Sequence, residues 1–420
     1  MKQEAIALYR GNVQRTGEYE AVGVPDLHGI AWQFQTGGTV DLTPVVADGI
    51  VLVVSRTDRT LDALDALTGE HRWHCPISYF GDTPPHVADD VVYVSDDGSI
   101  LALDLHTGQR LWTWSANDLP SGEQLLELHV NEETDEYALA MAYGPERSEY
   151  SDYVAWEGDE KAEYAAPISY RDKLYVVSDC IVMALDLATR QPVWWQFMWE
   201  RVSGSSLILA NDRMYFTAAC NNNDDALYGL DSATGLNTFF SLDSTTVKPD
   251  LYDDFWNLGA FTLRDGIFYA IGYLYPGTNH FFDYAIGEDR FFTSEAIGYF
   301  GEKNDTIVML EQAEGLAVGP DMVYVTTHAI NPAVIALNRE SRQVIWQRSD
   351  LIATSSSIRF PTLAGSVLYL ILDGQICCAL DAATGQERWR IPLEAGIVAL
   401  PCIAGEMIFV AAGQSVYALR

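Results

Sequence analysis

Lysine is scarce in this chain: five of 420 residues, within 25 basic side chains that stand against 59 acidic ones, for a formal net charge of −34. Nucleic acids and anionic membranes are held by Lys and Arg that neutralise phosphates, so this balance excludes both as partners. No run approaches the roughly 18 apolar residues of a membrane helix. The opening Met1-Lys2-Gln3-Glu4-Ala5-Ile6-Ala7-Leu8-Tyr9-Arg10 has neither an apolar core nor a small-residue cleavage site, so no secretory leader is expected there. A C-x-x-C pair is also missing. Cys75, Cys180, Cys220, Cys377, Cys378 and Cys402 lie mostly inside apolar runs, and the expectation is reduced, buried thiols in a cytoplasmic protein.

Catalytic signatures are missing too: there is no G-x-S-x-G elbow, H-E-x-x-H, Walker loop or G-x-G-x-x-G. His71 and His74 are three apart on a predicted strand, which points them to opposite faces and argues against a metal. Asn221-Asn222-Asn223-Asp224-Asp225 lacks the spaced Gly and Glu of a calcium loop and reads as a polar hairpin tip. The sequence therefore offers no catalytic residue, no cofactor and no metal ligand set.

What is present is a repeat. The phrase Ala-x-Asp-x-x-Thr-Gly-x-x-x-Trp occurs in full at Ala63 to Trp73, Ala102 to Trp112 and Ala379 to Trp389. Degraded copies run from Ala184 to Trp194, Gly229 to Phe239 and Ala336 to Trp346, and Ala418-Leu419-Arg420 is a truncated one. Before each copy stand short runs rich in Val, Ile and Tyr, punctuated by Gly, Asp and Asn, which read as consecutive antiparallel strands. Asp and Thr bond local backbone at a tight turn, Gly supplies a positive φ, and Trp falls on the next strand, where its ring packs against the following unit. Four strands per roughly 40 to 50 residues describe a blade of a β-propeller.

Successive copies are 39, 82, 45, 107 and 43 residues apart, so two intervals have room for a unit without the phrase, around Tyr137 to Trp156 and around Phe261 to Phe292. The predicted fold is all-β, a single propeller of four-stranded antiparallel blades. Eight blades is the expected count, with seven and nine as alternatives. The strand bearing Trp32 is expected to pair with the C-terminal strands and close the ring. Residues 1–28 form a lead-in segment and 29–420 the propeller, with degenerate or inserted regions near 115–165 and 241–312.

The phrase, together with Arg10-Gly11-Asn12-Val13-Gln14-Arg15-Thr16-Gly17 and Ile30-Ala31-Trp32-Gln33-Phe34, resembles the repeat of the quinoprotein (PQQ-type) propeller family. The resemblance implies that Ala63, Gly69, Trp73, Ala102, Gly108, Trp112, Ala184, Trp194, Ala336, Trp346, Ala379, Gly385 and Trp389 lock neighbouring blades together. In the family's dehydrogenases a quinone lies over the axis on a Trp floor, beside a calcium ion and beneath a disulfide of adjacent cysteines. The adjacent pair here, Cys377 and Cys378, sits inside a predicted strand, and no calcium triad or base is discernible.

The repeat leaves one feature unexplained. Asp118 to Glu163 holds 14 acidic residues against two basic ones, with Tyr143, Tyr150, Tyr153 and Trp156 among them. An irregular stretch at Asp253-Asp254-Phe255-Trp256 has the same mixture. These eight aromatic and acidic residues are the candidate partner surface, aromatics as anchors and carboxylates to select a basic protein, while solvated loops are the plainer reading. The expected function is a non-catalytic acidic propeller, a scaffold or inhibitor for a basic partner. The alternatives are a quinone-dependent dehydrogenase and an acidity adapted to high salt.

Overall fold

The computed structural model describes residues 8–78, 84–96, 99–115, 167–177, 181–197, 201–219, 225–236, 255–274, 278–285, 290–292, 313–327, 332–352, 357–394 and 396–420. The strands of these residues form eight sheets. The first sheet runs Val45–Ala47, Ile50–Ser55, Thr60–Asp65, His71–Pro76, and the second His86–Ala88, Val91–Asp96, Ser99–Asp104, Arg110–Ser115. The third holds Ile168–Tyr170, Lys173–Val177, Ile181–Asp186 and Pro192–Phe197. In the fourth, Arg201–Ala210, Arg213–Ala219 and Asp225–Asp231 are the described strands. The fifth is Phe255–Arg264, Ile267–Leu274, Thr278–Ala285 and Arg290–Phe292; the sixth is Ala313–Val318, Met322–Thr327, Ala333–Asn338 and Val344–Arg348. The seventh holds Ile358–Ala364, Val367–Leu372, Ile376–Asp381 and Glu387–Pro392. The eighth joins both chain ends: Cys402–Ala404, Met407–Ala412 and Ser415–Leu419 take Ile30–Gln35 as their fourth strand.

Each sheet is built on an antiparallel meander, and the first strands of neighbouring sheets adjoin at most positions around an axis. Val45–Ala47 of the first sheet also touches Cys402–Ala404 of the eighth, which closes the ring. The interval around Phe261 to Phe292, expected to hold a unit without the phrase, forms the fifth sheet; Tyr137 to Trp156 lies outside the described residues. Second strands such as Ile50–Ser55, Val367–Leu372 and Met407–Ala412 are buried at every position, because flanking sheets cover both of their faces. Outermost strands alternate, and along His71–Pro76 only Trp73 and Cys75 are buried. Among the described residues no helix is long and apolar enough to cross a membrane.

The phrase folds locally for a visible reason. Asp65 Oδ1 accepts from Thr68 N (2.8 Å), Leu67 N (3.0 Å) and Thr68 Oγ1 (3.0 Å), while Gly69 N donates to Asp65 O at 2.8 Å. Asp104 with Thr107, Asp186 with Thr189, Asp231 with Thr234 and Asp381 with Thr384 repeat the arrangement. Gly69 has φ +73°, and a Cβ there would stand 2.6 Å from the Trp32 ring of the adjoining sheet. Where Arg190 replaces this Gly, the positive φ persists at 62° and the guanidinium carbon lies 5.8 Å over the Trp112 ring, a cation–π contact in place of close packing.

The Trp completes the joint. Ala63 lies directly opposite Trp73 across the hairpin, as do Ala102 and Trp112, Ala184 and Trp194, Ala336 and Trp346, Ala379 and Trp389. The small side chain leaves room for the ring, which reaches the next sheet. Trp32, Trp73, Trp194 and Trp346 donate their indole N–H to Ala66 O, Leu105 O, Ser232 O and Ala382 O, each time the residue after a phrase Asp or its equivalent, at 2.9 to 3.0 Å.

One expectation fails here. His71 and His74 do not part to opposite sides: their rings approach to 5.8 Å, and His71 Nε2 lies 2.9 Å from Asp62 Oδ1. A bulge at Arg72, opposite Ala63 and Leu64, resets the strand's alternation.

Candidate functional site

The segment before the closing strand is a strap laid across the inner strands. Its carbonyls accept from one sheet after another in order: Val13 O from Leu209 N (3.2 Å), Gln14 O from Thr262 Oγ1 (2.7 Å), Thr16 O from Val318 N (2.7 Å) and Gly17 O from Leu363 N (2.8 Å). Glu18–Tyr19 then pairs in parallel with Leu363–Ala364. The strap keeps its shape through its own sequence. Asn12 Nδ2 donates to Thr16 Oγ1 at 2.7 Å, Thr16 N donates to Asn12 Oδ1 at 3.2 Å, and Gly17 N closes on Arg10 O at 2.9 Å. Gly11 is required: at φ +88° a Cβ would lie 1.9 Å from Glu18 O.

Two arginines of the strap are buried, Arg10 at 8% exposure and Arg15 at 5%. Arg10 donates through Nε to Arg15 O (3.1 Å) and through a terminal nitrogen to Leu316 O (2.7 Å). Arg15 donates through Nε to Leu207 O (2.9 Å), with its guanidinium carbon 4.8 Å over the Tyr9 ring. Among the described residues no carboxylate pairs with either. Burial pulls both pKa values down, that of Arg15 to about 10, so Arg15 remains a cation at neutral pH.

His86, on the first strand of the second sheet, is also buried, and its Nε2 lies 2.8 Å from Ser169 Oγ of the third sheet. Burial first, and then the charge of Arg15, push its pKa down to about 3, so the imidazole is neutral. Between these groups is a small cleft, part of it open to solvent. Tyr9, Asn12, Val13 and Arg15 of the strap form one wall; Pro84, Pro85, His86, Pro167 and Ile168 form the other.

The end of the ring where first strands turn into second strands has a different character. Exposed carboxylates stand in these hairpins at Asp48, Asp89, Asp90, Asp172, Asp212, Asp265, Asp321 and Glu406. Only the seventh sheet, with Gly365-Ser366, has none. Turn geometry explains part of this, since Asp48, Asp89, Asp90, Asp212 and Asp265 have φ between 44° and 60°, where Asp, Asn and Gly are favoured. Gly or Asn would serve the turn equally well, so the charge is additional. Some of it is neutralised: Arg171 pairs with Asp212 at 2.5 Å and Arg339 with Asp265 at 2.6 Å. His106 Nε2 is 3.6 Å from both Asp48 and Asp90.

Of the aromatic and acidic residues marked as a partner surface, Tyr143, Tyr150, Tyr153, Trp156, Asp253 and Asp254 lie outside the described residues. Phe255 and Trp256 are not in an irregular stretch but begin the inner strand of the fifth sheet, opposite Leu274 and Tyr273. The hairpin carboxylates escaped notice in the sequence because each is a single Asp in an ordinary turn, and only the ring assembles them.

Cys377 and Cys378 are free, buried and on opposite faces of their strand. Cys377 packs into the core shared with the eighth sheet and Cys378 into the core shared with the sixth. Burial raises both thiols, that of Cys378 to about 12. The pair is thus in the third strand of a blade, away from the inner strands, and does not fit the cap of an axial quinone. Trp32, Trp73, Trp194, Trp346 and Trp389 are engaged between blades and do not form a floor at the axis.

The family described as outer membrane protein assembly factor BamB matches residues 26–144 and 331–420. No curated protein sequence matches the chain. Solved structures share its fold. BamB from Moraxella catarrhalis aligns at a TM-score of 0.59 and 14% identity, over 93% of this chain and 99% of that one. Quinohemoprotein alcohol dehydrogenase from Comamonas testosteroni aligns at 0.62 and 14%, over 98% and 80%. A europium-containing methanol dehydrogenase aligns at 0.63 and 13%, over 100% and 98%.

Proposed function

We propose that this chain, a β-propeller of quinoprotein-type repeats, is a non-catalytic scaffold that binds a basic protein partner. The observation that carries the reading is the ring of exposed hairpin carboxylates, present in seven of the eight sheets. Charges spaced around a rigid rim steer an oppositely charged partner and select against acidic ones, while contributing modestly to affinity. The folds it shares include both an assembly factor and dehydrogenases, and the residues of this chain favour the first. The adjacent cysteines are core thiols, and the phrase tryptophans join blades. A cytoplasmic location accords with four buried free cysteines.

The test is co-purification at low and at high salt with wild type and with Asp89→Asn/Asp90→Asn/Asp321→Asn. A basic protein held by wild type at low salt, released at high salt and lost from the triple variant supports the scaffold. Equal retention by both proteins removes the carboxylate rim from consideration.

A further inference from the structure

The axial cleft poses a charge problem that the scaffold reading leaves untouched. Arg10 and Arg15 bring two guanidinium groups into the interior within five residues of strap, and among the described residues neither has a carboxylate partner. A buried cation without a counter-charge is costly, and arginine does not escape by losing its proton near neutral pH. The two differ in how far their donors are used. Arg10 spends its fork on two backbone carbonyls. Arg15 spends Nε on Leu207 O, while its terminal nitrogens have no partner among the described residues and are not sealed from solvent.

The surroundings of Arg15 suit an oxyanion. Its guanidinium is held from behind by the Tyr9 face and from the side by Leu207 O, so the fork is oriented before anything binds. Asn12 and His86 line the same cleft, and His86 is neutral, able to offer a ring N–H without adding a second charge. The prolines Pro84, Pro85 and Pro167 contribute no backbone N–H, so the selection falls to the side chains. The cleft is small, which restricts the ligand to a compact group.

We propose that this cleft is a binding site for a small free oxyanion, a phosphate or a simple carboxylate, held by the guanidinium fork of Arg15. The anion supplies the charge that the strap arginines lack and fastens the strap to the second and third sheets.

Thermal unfolding of the full chain decides this, with sodium phosphate and sodium formate each compared with sodium chloride at matched ionic strength. Bound ligand raises the midpoint by mass action. A saturable rise with either anion, absent in Arg15→Gln and preserved in the surface control Arg388→Gln, supports the site, and the more effective anion identifies its source. Arg15→Lys keeps the charge without the fork, and apparent affinity should fall about tenfold, the scale of one charge-assisted hydrogen bond. If neither anion exceeds chloride, or if Arg15→Gln retains the effect, the proposal is overturned. Should Arg15→Gln fail to fold, line widths of phosphate (31P) and formate (13C) titrated with wild type decide: saturable broadening of either supports the site, and none for both overturns it.

Discussion

The indole N–H of Trp389 donates to the carbonyl of Val24 at 2.8 Å, across 365 residues of sequence. Four other blade tryptophans donate to the residue that follows a phrase Asp or its equivalent. For Trp389 the lead-in segment takes that place: Val24 O accepts from the indole, and Val24 N donates to Tyr369 Oη at 2.5 Å.

Trp389→Phe should therefore destabilise the ring by about 1–2 kcal/mol, the cost of a buried carbonyl left without its donor. Urea unfolding of the variant beside Trp73→Phe measures it, and similar losses are expected. A neutral Trp389→Phe would show that the Val24 joint contributes nothing.

Gly69→Ala and Gly266→Ala separate backbone strain from crowding. Both positions have positive φ, +73° and +78°, but a Cβ at Gly69 meets the Trp32 ring at 2.6 Å whereas Gly266 has nothing within 4 Å. Gly266→Ala should cost about 1 kcal/mol and Gly69→Ala some 2 kcal/mol more. Equal losses in denaturant midpoints would mean that the ring moves aside freely.

The phrase carboxylates set an acid limit on stability. The Arg72 side chain first, and then the Thr68 hydrogen bonds, hold the carboxyl of Asp65 down at about 2, and Arg388 with Thr384 lowers that of Asp381. A depressed carboxyl contributes stability above its unfolded pKa of about 4, lost as pH falls through the folded value. Stability should thus decline between about pH 4 and pH 2, and Asp65→Asn should shallow that slope in acid titrations followed by circular dichroism.

His86 acts in a higher window. Its folded pKa of about 3 is below the unfolded value, so between roughly pH 3 and pH 6.5 the unfolded chain binds the extra proton. Stability should rise with pH across that range and level off above it. His86→Gln should reduce the slope by nearly one proton; an unchanged slope would show that His86 is not buried neutral.

Mixing the purified chain with the quinone and calcium should give neither a visible absorbance change nor dye reduction. Dye turnover with an alcohol would restore the dehydrogenase reading.

The phrase was legible in the sequence because its physics is local: Asp65 and Thr68 bond within one turn, and Ala63 faces Trp73 across one hairpin. The fifth sheet, without a phrase, was legible only as an interval too long to be empty. Arg10 to Gly17 was legible as a family likeness, but its course as a strap was not. Arg10 and Arg15 look like ordinary surface cations, and nothing nearby in sequence announces Leu207 or Leu316. His71 and His74 break the strand's alternation because the bulge places an extra residue, Arg72, between them. Asp89 and Asp321 each follow turn chemistry, and their grouping exists only once the blades are in a ring.

The closing strand also fixes an order of events during synthesis. Ile30–Gln35 leaves the ribosome well before its partner Ser415–Leu419. At about 5–20 residues per second the intervening 380 or so residues take roughly 20–80 s. For that time the strand bearing Trp32 has an unpaired edge, and the strap has only the blades already made to lie on. A nascent chain of this kind is exposed to mispairing until Ser415–Leu419 arrives, and the strap, translated ahead of the blades it crosses, is seated only after them.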